Sequence, residues 1–296
     1  MTRSGFVALA GRPNVGKSTF VNAVVGEKIA IVSEKPQTTR RAIRGVHQSG
    51  DVQLVLVDLP GVQRPRDPLT ARMARRVQQE LEGADAALLM LNGEQGVGPG
   101  DRFIARELAT AGTPVAIAVN KADRLSHGAL VAVLAQAGEL ALDGEIFPIS
   151  ARTGAGVEEL TEHLASLLPE APFMFDAGTA SDQPTELLVA ELIREAAIKR
   201  TFQEVPHAVE VVVEEIERAG GGSSGPIRVR ALVWVETRSQ KGILIGAGGS
   251  MIKAIGTSAR KELERALAAP VHLDLSVRVR RDWRADDGLL DRLGIE

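Results

Sequence analysis

The stretch Gly11-Arg12-Pro13-Asn14-Val15-Gly16-Lys17-Ser18-Thr19, GRPNVGKST, decides how the chain is read. It follows the apolar run Phe6 to Ala10 directly and opens an amphipathic segment, so it falls in the turn between a strand and a helix. Its spacing fits G-x-x-x-x-G-K-[ST], and that context is the one the motif requires. Phosphate oxygens are crowded and anionic. Glycines such as Gly11 and Gly16 let backbone N–H groups come close, Lys17 supplies a charge at the β and γ phosphates, and Ser18 offers a hydroxyl to Mg²⁺. A signal peptide is the other reading of the N-terminus, but the run FVALA is too short for one.

Outward from this loop, short apolar runs bounded by turn residues recur at Val52 to Val57, Ala86 to Leu91, Val115 to Val119 and Ile146 to Ile149. Amphipathic stretches such as Leu69 to Leu81 and Arg102 to Ala111 lie between them. The alternation predicts an α/β P-loop NTPase domain, a mostly parallel sheet with helices on both faces, ending near Leu168. From Pro169 to Pro184 the pattern lapses into PEAPFMFDAGTASDQP. The chain is therefore divided into residues 1–170, a linker at 171–183, and residues 184–296. In the last part Thr185 to Phe202 reads as a helix, and His207 to Arg218 and Ile227 to Thr237 read as strands joined by the glycine-serine loop Gly220 to Gly225. A short helical piece ending at Gly246, a helix from Ser250 to Ala268 and a strand from Val271 to Arg281 complete an α-β-β-α-α-β order.

Three further motifs follow the first loop in order. Asp58-Leu59-Pro60-Gly61 ends the strand QLVLVDLP, where the Asp58 carboxylate can hold the Mg²⁺ water shell and the Gly61 N–H can reach the γ-phosphate. Asn120-Lys121-Ala122-Asp123 ends PVAIAV and selects the base. The Asp123 carboxylate can accept from the N1–H and 2-amino group of guanine, and adenine has no donor at either place. Ser150 and Ala151, after EIFPIS, match the backbone-donor loop that contacts guanine O6. Between the first helix and the second strand lies PQTTR, Pro36 to Arg40, where a threonine hydroxyl completes the Mg²⁺ shell when GTP is present. Thr39 is the expected one and Thr38 the alternate. Together the motifs predict a protein that binds GTP and GDP with Mg²⁺ and hydrolyses GTP, with Lys17, Thr39 and Gly61 at the reacting phosphate.

Composition narrows the class without choosing it. The 296 residues suffice for two domains, and the balance of apolar and charged residues is that of a globular protein. No cysteine is present, which rules out a disulfide scaffold and accords with a reducing cytosol. Charges break every apolar run well short of a membrane span, so no integral membrane segment is expected. The net charge of −3 hides an asymmetry. From Arg238 to Arg284 ten basic residues face four acidic ones, a pattern that suits a nucleic-acid partner or else a solvated charged face.

Once these residues are assembled, the sequence resembles the Era family of bacterial GTPases over nearly its whole length. GRPNVGKST, KPQTTR, DLPGV and NKAD match that family's first domain. QKGILIGAGGSMIKAIG, Gln240 to Gly256, and HLDLSVRVRRDW, His272 to Trp283, are similar to its second, a KH domain. The resemblance implies an α+β KH fold that clamps single-stranded RNA against the loop Gly246-Ala247-Gly248-Gly249, with Lys241, Ile245 and Lys253 beside it. Ala247 departs from the basic residue that many members carry there, and Lys241 and Lys253 are placed to compensate. The implied partners are ribosomal RNA near the 3′ end of the small subunit and the 30S-type subunit itself. Also implied are a role in its assembly and rRNA maturation, and a cytoplasmic location with loose contact at the inner face of the cell membrane. The rival for this half is a module that docks a protein, with GTP acting as a switch on a scaffold.

Hydrolysis itself is expected to be slow. Where small GTPases carry a glutamine that orients water, this chain has Val62, with Gln63 one position late. Asn14 resembles the P-loop asparagine that helps seat potassium in cation-dependent GTPases; a turn-stabilising asparagine is the equal alternative. An ATPase or kinase would share Lys17 and Ser18 but has no use for NKAD.

Overall fold

The computed structural model describes residues 1–35, 38–218 and 225–295. Pro36 and Gln37 of the PQTTR stretch, and most of the expected glycine-serine loop, lie outside the described residues.

The first half runs β1 (Arg3–Ala10), α1 (Lys17–Val25), β2 (Ile43–Ser49), β3 (Val52–Asp58), α2 (Pro68–Glu82), β4 (Ala86–Asn92), α3 (Pro99–Ala111), β5 (Val115–Asn120), α4 (His127–Gly138), β6 (Ile146–Pro148) and α5 (Val157–Ser166). Its sheet has the order β2-β3-β1-β4-β5-β6, parallel except for β2, which runs antiparallel to β3. Helices cover both faces, so alternate residues of one strand enter different cores. Leu88 and Met90 of β4 pack in the cluster with Phe20 and Leu160, and Leu89 and Leu91 pack with Ile104 and Leu108.

Two features depart from the sequence reading. Strand β2, IRGVHQS, has no apolar run to announce it; it exists because Val46 pairs with Val55 of β3. Its outer edge is covered by the linker, whose Ala180 carbonyl accepts from Val46 N at 2.9 Å, while Gln53 donates to the Phe175 carbonyl at 2.8 Å. Helix α3 begins at Pro99 rather than Arg102, because proline suits the first helical position and Asp101 accepts from Gly98 N at 2.9 Å.

The second half runs α6 (Thr185–Arg200), α7 (Val205–Ala208), β7 (Glu210–Arg218), β8 (Ile227–Val235), α8 (Arg238–Ile245), α9 (Ser250–Ala266), β9 (Val271–Val279) and α10 (Asp287–Arg292). The expected α-β-β-α-α-β order is present, with α7 and α10 added. The strand expected from His207 starts only at Glu210, since Pro206 has no N–H for a ladder and begins a helical turn instead. Strand β8 pairs antiparallel with β7 and parallel with β9. Val189 and Ile193 of α6 and Ile255 and Leu263 of α9 pack on Val229 and Val233 of β8, so this half is α+β with its helices on one face.

The halves are packed together. Helix α6 is buried continuously from Val189 to Ile198, its polar residues included, because it has the small sheet on one side and residues 28–35 and 38–41 on the other. Leu69 and Met73 of α2 form a separate apolar cluster with Trp283, Leu289, Leu290 and Ile295. Among the described residues, no helix is long and apolar enough to cross a membrane.

Candidate functional site

The register of the large sheet brings the distant motifs to one edge: Leu9 of β1 stands beside Asp58 of β3, and Asn92 of β4 beside Asn120 of β5. Loops leaving the carboxyl ends of β1, β3, β5 and β6 therefore converge where the strand order reverses beside β1, the usual place for a ligand in an open α/β sheet. Asn120 joins three of them. Its Nδ2 donates to the Val15 carbonyl at 2.7 Å, and its Oδ1 accepts from Lys121 N at 2.8 Å and Ala151 N at 3.0 Å. Two glycines are required by this closeness. Gly16 has φ 106°, and a Cβ on it would lie 2.1 Å from the Asn120 amide nitrogen; one on Gly61 would lie 2.7 Å from Pro13 N.

At the phosphate end, Ser18 Oγ donates to Asp58 Oδ2 at 2.5 Å, and Thr39 Oγ1 lies 3.1 Å from Ser18 Oγ and 3.3 Å from Asp58 Oδ2. Thr38 instead donates to the Lys35 carbonyl at 2.7 Å, so of the two candidate threonines only Thr39 faces Asp58. Lys17 Nζ reaches the carbonyls of Gly11 and Arg12 at 3.3 and 3.4 Å. Burial pushes the Lys17 ammonium below its usual range against the pull of Asp58, and pushes the Asp58 carboxyl up against Lys17 and the two hydroxyls. Asp58 Oδ1 is buried without a partner. One carboxylate with two hydroxyls is a fitting donor set for Mg²⁺, which takes its remaining oxygens from phosphate and water.

At the base end, Ser150 is the first cause that holds the Asp123 carboxyl below its usual range, with Arg152 a further one: its Nη2 donates to Asp123 Oδ2 at 2.6 Å. Arg152 was invisible to sequence reasoning, although it directly follows Ser150 and Ala151. Lys121 pairs with Glu94 at 3.3 Å. The side chains of several other expected nucleotide-site residues turn into the protein. Arg12 turns to Asp101 of α3 at 2.9 Å, Val15 and Leu59 are fully buried, and Asn14, at φ 64°, donates to the Glu34 carbonyl at 2.6 Å. Pro13, Thr19 and Pro60 complete the loops, with Pro13 and Thr19 lining the phosphate pocket. Val62 donates its N–H to the Gly11 carbonyl at 3.1 Å, whereas Gln63 lines a polar cleft with His207 and Arg284 of the second half rather than the phosphate pocket.

The loop Gly246 to Gly249 joins α8 to α9 as expected. Gly246, Gly248 and Gly249 all have positive φ, at 71°, 57° and 79°. A Cβ on Gly248 would meet nothing within 4 Å, so the loop surface is open there. Ala247 and Lys253 are exposed and Lys241 and Ile245 half-exposed around it. One correction concerns the basic excess: Arg284 is paired with Asp67 at the start of α2, outside the basic stretch, so its charge is already used within the chain.

A P-loop with its aspartate, base-selecting and switch motifs converging at one sheet edge, followed by an α+β unit with an open G-x-x-G loop between helices, defines the class: a P-loop GTPase carrying a KH domain. Residues 6–121 match the family described as "50S ribosome-binding GTPase", and residues 204–284 the KH domain family. The chain is 44% identical over 295 residues to the GTPase Era of Mycobacterium tuberculosis, covering 98% of each, and 46% identical over 301 residues to that of a Nocardioides species, covering 99% of this chain and 96% of the relative. It superposes with TM-score 0.95 and 34% identity on a crystal structure of Era in complex with MgGDPNP and nucleotides 1506–1542 of 16S ribosomal RNA, covering 100% of this chain and 99% of that one. The chain belongs to the GTPase Era family.

Proposed function

We propose that the chain hydrolyses GTP to GDP and phosphate, and that it uses this cycle while binding 16S ribosomal RNA during assembly of the small ribosomal subunit. The observation that carries the first part is the convergence of Ser18, Thr39 and Asp58 within 3.3 Å of one another beside Lys17. When bound, Mg²⁺ neutralises charge on the β and γ phosphates. Ser18, Thr39 and Asp58 hold it. Lys17 and the backbone N–H groups of the loop Gly11 to Thr19, of which Pro13 has none, bind the phosphates, the Gly61 N–H meets the γ-phosphate, and Asn120, Lys121, Asp123, Ser150 and Ala151 form the guanine site. Val62 is apolar and half-buried and Gln63 lines the other cleft, so neither orients water and unassisted turnover is slow. Asn14 is the residue to which potassium coordinates if hydrolysis uses it.

The RNA half of the proposal rests on the open loop Gly246 to Gly249 with Lys241, Ile245 and Lys253, and on the Era complex with 16S RNA to which this chain is so similar. Residues 1–170 act as the GTPase domain, 171–183 as the linker and 184–296 as the KH domain. Family resemblance is what supports a cytoplasmic protein with loose contact at the inner face of the membrane. The test is titration of a labelled single-stranded RNA matching the small-subunit 3′ end. Gly248→Asp puts a negative charge where the RNA backbone must approach. A Cβ there meets nothing within 4 Å, and the φ of 57° strains the residue only locally, since aspartate tolerates the left-handed region better than most residues. The variant is expected to stay folded, and circular dichroism checks that it does. Its affinity is expected to fall by about tenfold or more while Glu217→Ala, on the exposed end of β7, leaves it unchanged, and parental affinity falls with salt with a log-log slope of roughly −0.7 per neutralised phosphate. A folded Gly248→Asp variant with parental affinity would favour protein docking instead.

A further inference from the structure

Thr39 is gripped on both sides by contacts that cross between the two halves of the molecule. After it, Arg40 Nη1 donates to Glu210 Oε2 at 2.6 Å and to the Val209 carbonyl at 2.7 Å, and Arg40 Nη2 donates to the His207 carbonyl at 2.8 Å. Arg41 reaches Glu191 at 3.0 Å, Glu210 at 3.3 Å and the Leu293 carbonyl at 2.7 Å. Before it, the Thr38 carbonyl accepts from Arg194 Nη2. Arg194 stands on α6, is fully buried, and is aimed by Glu191, whose Oε1 accepts from Arg194 Nε at 3.0 Å.

The arrangement is asymmetric in a useful way. Arg40 and Arg41 lie in the segment 38–42 that precedes β2 and reach outward, so their contacts dock that segment on the second half. Arg194 lies on the second half and reaches inward, to the one carbonyl that belongs to the peptide linking Thr38 to Thr39. That peptide sets the direction of Thr39, whose Oγ1 is 3.3 Å from Asp58 Oδ2. A guanidinium held by a carboxylate is a stiff, charged donor, and its hydrogen bond to a buried carbonyl is stronger than a neutral one. Burial opposes the charge on Arg194, but Glu191 and Glu210 outweigh it and keep the group protonated.

We infer that Arg194 is a positioning residue for hydrolysis: from the KH half it fixes the Thr38–Thr39 peptide so that Thr39 Oγ1 faces Asp58, and the phosphate site is thus completed by the second domain. The inference rests on the proposed role of Thr39 as the switch ligand. It separates two nucleotides, because a residue that acts through Thr39 matters when the γ-phosphate is present and not when GDP is bound.

The full chain and its Arg194→Lys, Thr39→Ala and doubly substituted variants are compared with fluorescent GDP and GDPNP in Mg²⁺ buffer, alongside turnover of GTP. Lysine keeps the charge but loses the two-pronged grip on Glu191 and the Thr38 carbonyl. Arg194→Lys is expected to keep parental GDP affinity while its GDPNP affinity and kcat fall by about tenfold, the loss that a hydrogen bond to a charged group typically represents. The double variant is expected to be no worse than Thr39→Ala alone. Parental GDPNP affinity and kcat in Arg194→Lys, equal losses for GDP and GDPNP, or a double variant that loses the product of both single effects would each overturn the inference. Thr39→Ala with parental GDPNP affinity and kcat overturns instead the reading of Thr39 beneath it. Should Arg194→Lys not fold, Arg194→Gln, which keeps a donor but loses the charge and the two-pronged grip and leaves the Arg41 contact to Glu191 in place, is read by the same two affinities and the same outcomes.

Discussion

The phosphate pocket and the arginine-glutamate cluster behind it are both buried and polar, yet they are assembled in opposite ways. In the pocket, Lys17, Ser18 and the loop amides come from one stretch of nine residues; of the groups that meet them, Asp58 ends β3 and Thr39 lies in the loop before β2. Asp58 Oδ1 is left without a protein partner there, as suits a place where a ligand's charge is to arrive. In the cluster, Arg40 reaches Glu210 across 170 residues, Arg41 reaches Glu191 across 150, and Arg194 reaches Thr38 across 156. Its charges answer one another and the carbonyls around them, although Arg40 Nε and Arg194 Nη1 are buried without a partner. The cluster accordingly holds the two halves together, while the pocket gathers the groups proposed to meet the ligand. Burial would raise the Glu210 carboxyl, but Arg41, Arg40 and Arg194 hold it down at about 2. Burial first, and then the Arg194 charge, lower Arg40 to about 10. Both groups are therefore ionised at neutral pH, with three guanidiniums sharing Glu210 and Glu191.

The sharpest way to break this comparison lies at the base end of the pocket. Asp123→Asn is expected to let xanthosine nucleotides in, since an amide can donate to the xanthine 2-oxygen, and to shift the guanine-to-xanthine preference on the order of 10⁴-fold with the melting temperature essentially unchanged. Competition titration of the two nucleotides measures it; a variant that keeps its full preference for guanine removes Asp123 from the base site.

Glu210→Gln is the counterpart in the cluster. It strands two buried guanidiniums, so the chain is expected to lose about 3 to 5 kcal/mol of stability in urea unfolding while its choice of guanine over xanthine is intact. The sign with pH follows from a carboxyl whose folded value lies below its ordinary 4.5. Its contribution is fully present above pH 4.5 and is lost as pH falls toward 2, so the gap in stability between the parent and Glu210→Gln narrows across that window. A gap that is constant between pH 7 and pH 3 would mean that the glutamate's charge is not what the cluster uses.

The smallest effect expected concerns Asn14, which belongs to the phosphate loop and donates to the Glu34 carbonyl. If its amide oxygen also seats a potassium ion, replacing potassium by sodium at fixed ionic strength lowers GTP turnover a few-fold, in the range of one charge acting on the transition state through partial solvent. Equal rates in the two salts return Asn14 to the role of a turn residue that ties the phosphate loop to Glu34.

What the sequence by itself determined is whatever is encoded within about ten residues. The loop Gly11 to Thr19, the strand-ending Asp58 and Asn120, and the open turn at Gly248 were legible because glycine freedom, strand periodicity and motif spacing are local properties. Strand β2 was not, since an edge strand with polar residues exists only once β3 and the linker are there to pair with it. Nor was the fate of the charges. Arg194 and Glu191 sit at the i, i+3 spacing of an ordinary solvated helix face, and Arg284 counted as part of a basic strip, until docking of the two halves buried the first pair against Thr38 and turned the last to Asp67. Ions leave the same trace in a sequence whether they face water or one another. Only the tertiary structure decides which, because desolvation and the geometry of a partner 150 residues away are properties of the packed molecule and not of any segment of the chain.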